Sequence, residues 1–493
     1  MSKRYRPWTP EQAYLLPPSP LEWLPEGHLA YFVLEVVAEL DLSAIEGVLQ
    51  QKDPRGERSY APQMMTALLL YAYCTGTFSS RKIARATFDD VPLRVISGGS
   101  HPHWTTVNEF RLQHRVALSA LFTQVLKLAG RAGLRTLGHV ALDGSKVQAN
   151  ASKHKAMSYG RMKDEEKRLA AEIEALLRRA EATDVAEDRE FGADKSGDEL
   201  PAELQHREPR LARIRAAKAE LEKEAAEARA AKLRENAAEL RTKLDDATCS
   251  PREKKAASTL AAKAEKQAEE LAPRDDDDDD DDGNAKTQLS PHRVPTTPAG
   301  KPKDTAQRNF TDAESRIMIR NGAFMQAFNA QAAVSEDQLV VAHGVTNDGT
   351  DAQHLGPMLE RVRENCGAMP KILSADTGYL SAANIAYCAS SGVDAYISVG
   401  KSEVARLSAE PLSEKLLVHR EMHEKVTSRR GRVIYALRKI LVEPVFGQIK
   451  GAMGFRRFSL RGLQKVESEW GIVCTCHNLL KVFRAQRRLA AQT

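Results

Sequence analysis

Long hydrophobic runs are missing from this 493-residue sequence. No stretch approaches the ~18 consecutive apolar residues that a membrane-spanning helix needs, so we expect no membrane span. The first twenty residues include basic side chains but no apolar segment of the kind that secretory signals carry, so we expect no such signal there.

Cysteine is also scarce, and its spacing is irregular. The six cysteines are Cys74, Cys249, Cys366, Cys388, Cys474 and Cys476. Residues so scattered do not make a disulfide framework and are typical of reduced thiols in a cytoplasmic protein. The sequence has neither a G-x-x-x-x-G-K-[ST] phosphate loop nor a G-x-S-x-G nucleophile elbow, so nothing in it indicates a nucleotide cofactor or serine-hydrolase chemistry.

Positive charge is concentrated near the C-terminus. The net charge of the whole chain is only +5, which by itself is too small to indicate a nucleic-acid partner. Between Arg438 and Arg488, however, eleven lysines and arginines stand against three glutamates, and aromatic residues are interleaved with them. Such a basic tract is typical of proteins that bind the phosphate backbone of nucleic acids, although a solvated helix face is the simpler alternative.

Composition divides the chain into four parts. Residues 1–136 have helical patterns and predict an all-helical N-terminal domain of the DNA-binding type. Residues 137–154 and 307–493 show strand-like runs that alternate with helices, which predicts one α/β (α+β) domain with a partly parallel sheet. Residues 155–270 are rich in Ala, Glu, Lys, Arg and Leu and predict a helical or coiled-coil insertion in that domain. Residues 271–306 contain eight consecutive aspartates and predict an acidic, flexible linker.

A short basic helix is predicted within the N-terminal part. It carries Arg81, Lys82 and Arg85 and is followed by a Gly-Gly-Ser break at residues 98–100. Short helices with basic faces and tight turns suit a helix-turn-helix DNA reader, and an ordinary helical bundle is the alternative.

Three acidic residues follow or end apolar runs in the α/β part. Asp143 ends the run 138–142, Asp376 follows the run 372–375, and Glu443 follows Ile440-Leu441-Val442. Acids at the carboxyl ends of buried strands lie where open α/β sheets place their active sites. Two or three such carboxylates can hold a pair of Mg²⁺ ions ~3.5–4 Å apart for phosphodiester chemistry.

Each acid also has a purely structural explanation. Asp143-Gly144 between two strand-like runs is a strong hairpin-turn signal. Asp376 before Thr377-Gly378 could cap a helix or form a turn. Glu443 precedes Pro444, which disfavours the helical region at Glu443 and could mark the start of a helix.

The surroundings of the three acids carry a family resemblance. Residues 141–153 read ALDGSKVQANASK, residues 374–384 read SADTGYLSAAN, and residues 432–462 read RVIYALRKILVEPVFGQIKGAMGFRRFSLRG. Together with residues 77–99, 150–162 and 308–334, they closely resemble the bacterial insertion-sequence DDE transposases that have an InsH-like N-terminal domain. The resemblance covers most of the chain and is weakest at residues 183–306.

This resemblance implies a ribonuclease-H-like catalytic core. In that family two aspartates and one glutamate bind two divalent metal ions, which points here to Asp143, Asp376 and Glu443 as catalytic and metal-binding residues. The implied cofactor is a pair of Mg²⁺ ions, for which Mn²⁺ would substitute. The implied reaction is cleavage of DNA at the terminal inverted repeats of the element, followed by strand transfer into target DNA.

Related transposases place a tyrosine, an arginine and a lysine around the glutamate, in the spacing Tyr-x2-Arg-x3-Glu-x6-Lys. Lys450 fits this spacing, whereas Tyr435 and Arg438 lie one residue too far from the glutamate, and Lys439 occupies the arginine position. The resemblance therefore implies DNA contacts first of all for Lys450. The weaker candidates for DNA contacts are Tyr435, Arg438, Lys439 and, from the basic tract, Arg456, Arg457 and Arg461.

The expected partners are double-stranded DNA, at the transposon ends and at the target, and further copies of the chain in a dimer or higher assembly. The expected location is the bacterial cytoplasm, at the nucleoid when the protein acts. Two alternatives remain open at this point. One is a ribonuclease-H-like nuclease without strand transfer, and the other is a catalytically dead DNA-binding relic.

Overall fold

The structure is a computed structural model, and it describes residues 19, 22–50, 59–134, 136–191, 202–245, 250–272, 287–320, 322–408 and 413–490. It is a mixed α/β protein in which one sheet is surrounded by helices. Among these residues, no helix is long and apolar enough to cross a membrane. The aspartate run 275–282, which the sequence predicts to be part of a flexible linker, lies outside the described residues.

Helices account for the regular structure of the N-terminal part. Helix α3 is buried along most of its length because its run of apolar side chains has no polar face. The helix that carries the basic residues of the sequence prediction is α4, and it leaves Arg81, Lys82 and Arg85 exposed. The helices are α1 (Leu29–Glu39), α2 (Ser43–Gln50), α3 (Pro62–Cys74), α4 (Ser80–Asp89), α5 (Val91–Ile96), α6 (Trp104–Gln113) and α7 (Arg115–Arg131).

A six-stranded mixed sheet forms the centre of the α/β part. Its order is β4-β5-β1-β7-β8, and β6 also pairs with β5. Strands β1, β7 and β8 are parallel to one another, whereas β5 is antiparallel to β1, β4 and β6. The strands are β1 (His139–Gln148), β4 (Arg316–Arg320), β5 (Ala323–Val334), β6 (Val340–Thr346), β7 (Ile372–Ala375) and β8 (Asp394–Ile397), and a separate pair is formed by β2 (Ala156–Ser158) and β3 (Gln307–Asn309).

Strand β1 is continuous through Asp143-Gly144, so the hairpin turn that this dipeptide suggests is not formed. Asp143 pairs with Ala332 and Gly144 with Gln331 in the antiparallel ladder to β5. Tertiary pairing on both sides of β1 overrides the local turn preference, because a central strand satisfies its backbone groups with two neighbours.

Along the chain, three long helices lie between β1 and β5. They are α8 (Tyr159–Phe191), α9 (Ala202–Asp245) and α10 (Pro251–Leu271). Helix α9 packs against α8 through Leu211 and Ile214, and against α10 through Leu233. The sequence predicts a helical or coiled-coil insertion here, and the structure forms three helices in which the long α9 pairs with a different helix at each of its ends.

The residues just after the aspartate run are packed into the protein. Leu289 lies in the main core, and Val294 is buried against Tyr159 and the insertion. Residues 287–306 therefore differ from the flexible linker that their Pro, Thr and Lys content predicts. Isolated apolar side chains within a polar segment carry no periodicity, so the sequence offered no signal for their burial.

The remaining helices cover the faces and edges of the sheet. Helix α16 packs against α3 and α7 of the N-terminal part and against β6, so it joins the two parts in one core. Helix α15 is followed by a single π-helical turn at residues 448–452. The helices are α11 (Leu355–Cys366), α12 (Ala382–Ser390), α13 (Lys401–Leu407), α14 (Glu414–Thr427), α15 (Arg429–Gly447) and α16 (Leu463–Ala490).

Acid should destabilise the fold through His477 in α16. This side chain is 0% exposed, and burial is the main cause that lowers its pKa from 6.5 to about 4. Below pH 6.5 the unfolded chain binds a proton that the folded chain excludes, so folding stability falls as the pH falls toward about 4. We expect a loss of about 2 kcal/mol between pH 6.5 and 5 from this group.

Urea unfolding of the wild type and of His477→Gln at several pH values measures this effect. Glutamine keeps a donor for the Gln338 carbonyl, which the His477 ring contacts through Nε2 at 2.9 Å, but it does not titrate. The variant should lose roughly one proton's worth of pH dependence between pH 6.5 and 5. An unchanged slope would contradict the assignment.

Candidate active site

The parallel pairing of β1 and β7 brings two of the predicted acids together. Leu142 is in register with Ala375 at the end of this ladder. Asp143 and Asp376 are the residues that follow this pair on the two strands, so they meet at the same edge of the sheet. Asp376 also caps the short turn that follows it, because its Oδ1 accepts from the Gly378 N–H at 2.9 Å. The capping explanation is therefore confirmed for Asp376, and its catalytic role stays a prediction.

A single arginine from helix α15 lies between the two carboxylates. Arg438 Nη2 is 2.9 Å from Oδ2 of Asp143 and 3.9 Å from Oδ2 of Asp376. The guanidinium is largely buried, with 11% of the side chain exposed, and its Nε has no hydrogen-bond partner. A cation therefore already occupies the space between the two acids in this arrangement of the chain.

Burial sets the protonation behaviour of both aspartates. It raises the pKa of Asp143 to about 6, with Arg438 opposing the rise and Asp376 and Asp351 adding to it. Burial likewise raises the pKa of Asp376, again opposed by Arg438. Two negative charges held close together in a partly desolvated place are unfavourable without a cation, which is the electrostatic condition that a metal ion relieves.

A third aspartate, Asp351, lies beside this pair and was not predicted. Its Oδ1 accepts from Asn329 Nδ2 at 2.6 Å and from Gln331 Nε2 at 2.7 Å, and it is 3.7 Å from Lys146 Nζ. Asp351 follows β6 by five residues, so the reasoning that selected the other acids could have included it. It was not selected because the polar residues 347–350 separate it from the apolar run of β6.

Two glycines leave the space in which these acids approach each other. A Cβ on Gly144 would lie 2.8 Å from Asp351 Oδ1 and 2.4 Å from Gln331 Nε2. A Cβ on Gly378 would lie 3.0 Å from both Asp351 Oδ2 and Asp376 Oδ1. A side chain at either position would crowd these carboxylates, which is consistent with glycine at the residue after Asp143 and two residues after Asp376.

Glu443 is not brought to the two aspartates. It lies on an exposed part of α15, inside the helix rather than at its start. Five residues separate it from Arg438, which corresponds to about 140° around a regular helix. Arg438 faces the aspartates, so Glu443 points well away from that direction. The predicted metal-binding role of Glu443 therefore stays a prediction.

Lys450 reaches the site from the π-helical turn. Its Nζ contacts Ser145 Oγ on β1, two residues after Asp143, and lies over the Phe446 ring. Burial lowers the pKa of Lys450 to about 8, with Arg320 adding to the decrease and Asp143 opposing it. The extra residue of a π turn changes the direction of the residues that follow, which places this lysine beside β1.

The other predicted DNA-contacting residues fall into three groups. Arg456, Arg457 and Arg461 line the continuation of β1, where Arg457 and Arg461 donate to Asn150. Tyr435 and Lys439 lie on α15, and Lys439 is exposed. Arg81, Lys82 and Arg85 lie on the exposed side of α4 in the N-terminal part, where Arg81 stacks over Trp104 at 4.6 Å and Arg85 pairs with Asp89.

Asp143 and Asp376 fit a divalent metal ion by their chemistry and charge. Carboxylate oxygens are the ligands that Mg²⁺ and Mn²⁺ prefer, and the guanidinium between them shows that a cation is favoured there. Across the residues the structure describes, no group of three His, Cys, Asp or Glu side chains is arranged to hold a metal ion. The two aspartates are therefore the part of the predicted ligand set that is already together.

Comparison with known proteins gives two family matches. Residues 291–479 match the family described as the transposase DDE domain, and residues 19–113 match the family described as transposase domain (DUF772). The first match includes Asp376 and Glu443, and its family implies a ribonuclease-H-like core for the sheet around β1 and β7. No curated protein and no solved structure matched the chain. Both matches are to transposase domain families, and their order along the chain is consistent with an insertion-sequence DDE transposase.

Proposed function

We propose that the protein binds the terminal inverted repeats of its own insertion sequence, cuts the DNA there and joins the freed end to target DNA. The observation that supports this most directly is the convergence of Asp143 and Asp376, from β1 and β7, at one edge of the sheet. The parallel pairing of β1 and β7 places both carboxylates where one metal site could use them together.

The chemistry follows from the ligands that these residues offer. Two divalent ions, Mg²⁺ or Mn²⁺, held by Asp143 and Asp376 with Glu443 as the third ligand, would supply Lewis-acid activation and charge stabilisation. The chain itself forms no covalent intermediate. Water displaces the 3′ oxygen from phosphorus at the transposon end, and the freed 3′-hydroxyl then displaces a 3′ oxygen in target DNA.

The positive side chains around the site have separate roles in this proposal. Lys450, which reaches Ser145 of β1 from the π-helical turn, would pair with a phosphate of the transposon end. Arg438 would exchange its contacts with the aspartates for DNA phosphate once the metal ions neutralise the carboxylates. The exposed residues of α4 would bind DNA outside the catalytic site. Assembly as a dimer or larger complex would hold two ends together.

A strand-transfer assay tests this function against both alternatives. The substrate is a labelled duplex with the terminal repeat of the element and a pre-cut 3′-hydroxyl, mixed with a supercoiled plasmid and Mg²⁺. We expect joined product with Mg²⁺ or Mn²⁺ and none after chelation with EDTA. A second duplex, whose terminal repeat has not been cut, is tested in parallel. Cutting of this duplex without joining of either substrate would support the nuclease alternative. Binding without cutting or joining would support the relic.

A further inference from the structure

A basic cleft lies between the helical insertion and the catalytic part. It has a volume of about 970 Å³, and its walls carry six lysine or arginine side chains against one glutamate. Three of the basic residues are exposed and make no ion pair with any residue in the described ranges: Lys155, Arg161 and Arg213. Arg461, from the catalytic part, stands on the same cleft.

The cleft has a rigid frame. Arg308, next to strand β2, pairs with Glu220 and Glu224 of α9, and Arg316 pairs with the same Glu224. Only 9% of the Arg308 side chain is exposed. These pairs hold α9, which carries Arg213, against β3 and β4, and Arg213 and Lys155 line the same cleft.

Strand β1 connects the active site with this cleft. Asp143 and the Ser145–Lys450 contact lie on the strand, and Gln148 at its end bonds to the backbone of Arg456 and Phe458. Asn150 then accepts from Arg457 and Arg461. Lys450, Arg457 and Arg461 therefore contact the chain at Ser145 and Asn150, between Asp143 and the cleft.

The length of this path matches a short stretch of duplex. Five residues of strand at ~3.3 Å each cover about 17 Å between Asp143 and Gln148. B-DNA rises ~3.4 Å per base pair, so that path corresponds to about 5 base pairs. A duplex cut at the aspartates would reach the cleft at that distance or slightly beyond.

We propose that this cleft binds the phosphate backbone of the transposon-end duplex, about 5–8 base pairs inside the cut. This inference rests on the proposed function, and it gives the helical insertion a role as one wall of the DNA channel. Unpaired arginine and lysine side chains in a fixed concave frame suit a polyanion, and the continuity with the active site favours the DNA that is being cut.

Two double variants with equal charge changes test the proposal. Lys155→Ala/Arg213→Ala removes two cleft charges, and Arg252→Ala/Lys255→Ala removes two exposed charges from α10 outside the cleft. We measure binding of a 30-base-pair terminal-repeat duplex by the full chain as a function of salt. The cleft variant should lower the slope of log K against log[salt] by about 2, and the α10 variant should leave it unchanged. Equal slopes for the two variants would overturn the proposal.

Uncharged methylphosphonate linkages locate the contact. Linkages placed 5–8 base pairs from the cut should weaken binding by the wild type and have little further effect on the cleft variant, since both remove the same contacts. Fully additive losses would overturn the proposal. If the protein cuts and joins ends normally and neither the substitutions nor the modified linkages affect binding, only the cleft proposal is refuted. If the protein neither prefers nor cuts the terminal repeat, the proposed function is refuted as well.

Discussion

Asp143→Asn should reduce the rates of end cleavage and strand transfer by about 10³-fold or more, because the transition state of each reaction loses several kcal/mol of metal-dependent stabilisation. Asparagine keeps the shape of the side chain and an acceptor for the Gly144 N–H, which donates to Asp143 Oδ1 at 2.9 Å in the wild type. It removes only the negative charge and one metal-binding oxygen. Asp376→Asn should have a similar effect, and both are measured with a labelled terminal-repeat duplex in Mg²⁺.

Asp394→Asn is the matched control for this experiment. Asp394 belongs to the same sheet but lies at the beginning of β8, where it pairs with Lys425 at 2.6 Å. It should leave cleavage near the wild-type rate. DNA binding by Asp143→Asn should equal that of the wild type, which separates loss of chemistry from loss of fold. Wild-type cleavage by Asp143→Asn would remove this residue from the mechanism.

Trp470→Ala should destabilise the protein by about 3–5 kcal/mol, the largest effect we expect from a single core residue. The indole is 0% exposed and donates from Nε1 to the Gln331 carbonyl at 3.0 Å. It packs beside Phe446 and Phe455. Its loss would leave a cavity where α16, α15 and the sheet meet, and would remove the partner of a buried carbonyl.

Chemical unfolding in urea measures this loss, with two companion variants. Trp470→Phe keeps most of the volume and loses the hydrogen bond, so it should cost less than Trp470→Ala. Val116→Ala on α7, where the side chain is 69% exposed, should change stability by no more than ~0.5 kcal/mol. Equal small losses for Trp470→Ala and Val116→Ala would contradict a stabilising role for Trp470 in the core.

The pair Asp143 and Asp376 could be selected from the sequence because each adjoins an apolar run. Acids at the ends of buried strands follow a general rule of α/β sheets. Their proximity could not be obtained this way, since the register of β1 against β7 depends on long-range pairing. The competing hairpin at Asp143-Gly144 was a local preference that the neighbouring strands overrode.

Arg438 and Asp351 show what spacing cannot provide. The family spacing around Glu443 favoured Lys439 for the arginine position, yet Arg438 contacts the aspartates because the phase of α15 is set by its buried side chains, such as Leu441, Val442 and Val445. Asp351 follows β6 by five residues, so the rule for acids after strands could have included it, although its loop carries no periodicity. The contact of Arg438 depends on tertiary packing, which no local pattern of a single sequence encodes.

The most direct test of the account is to locate bound Mn²⁺ in crystals of the protein with terminal-repeat DNA, by anomalous scattering. We expect a peak whose ligands include carboxylate oxygens of both Asp143 and Asp376, with Arg438 displaced from between them. A peak bound by other residues, with the two aspartates still paired to Arg438 in the DNA complex, would contradict the assignment of these aspartates as the catalytic metal ligands.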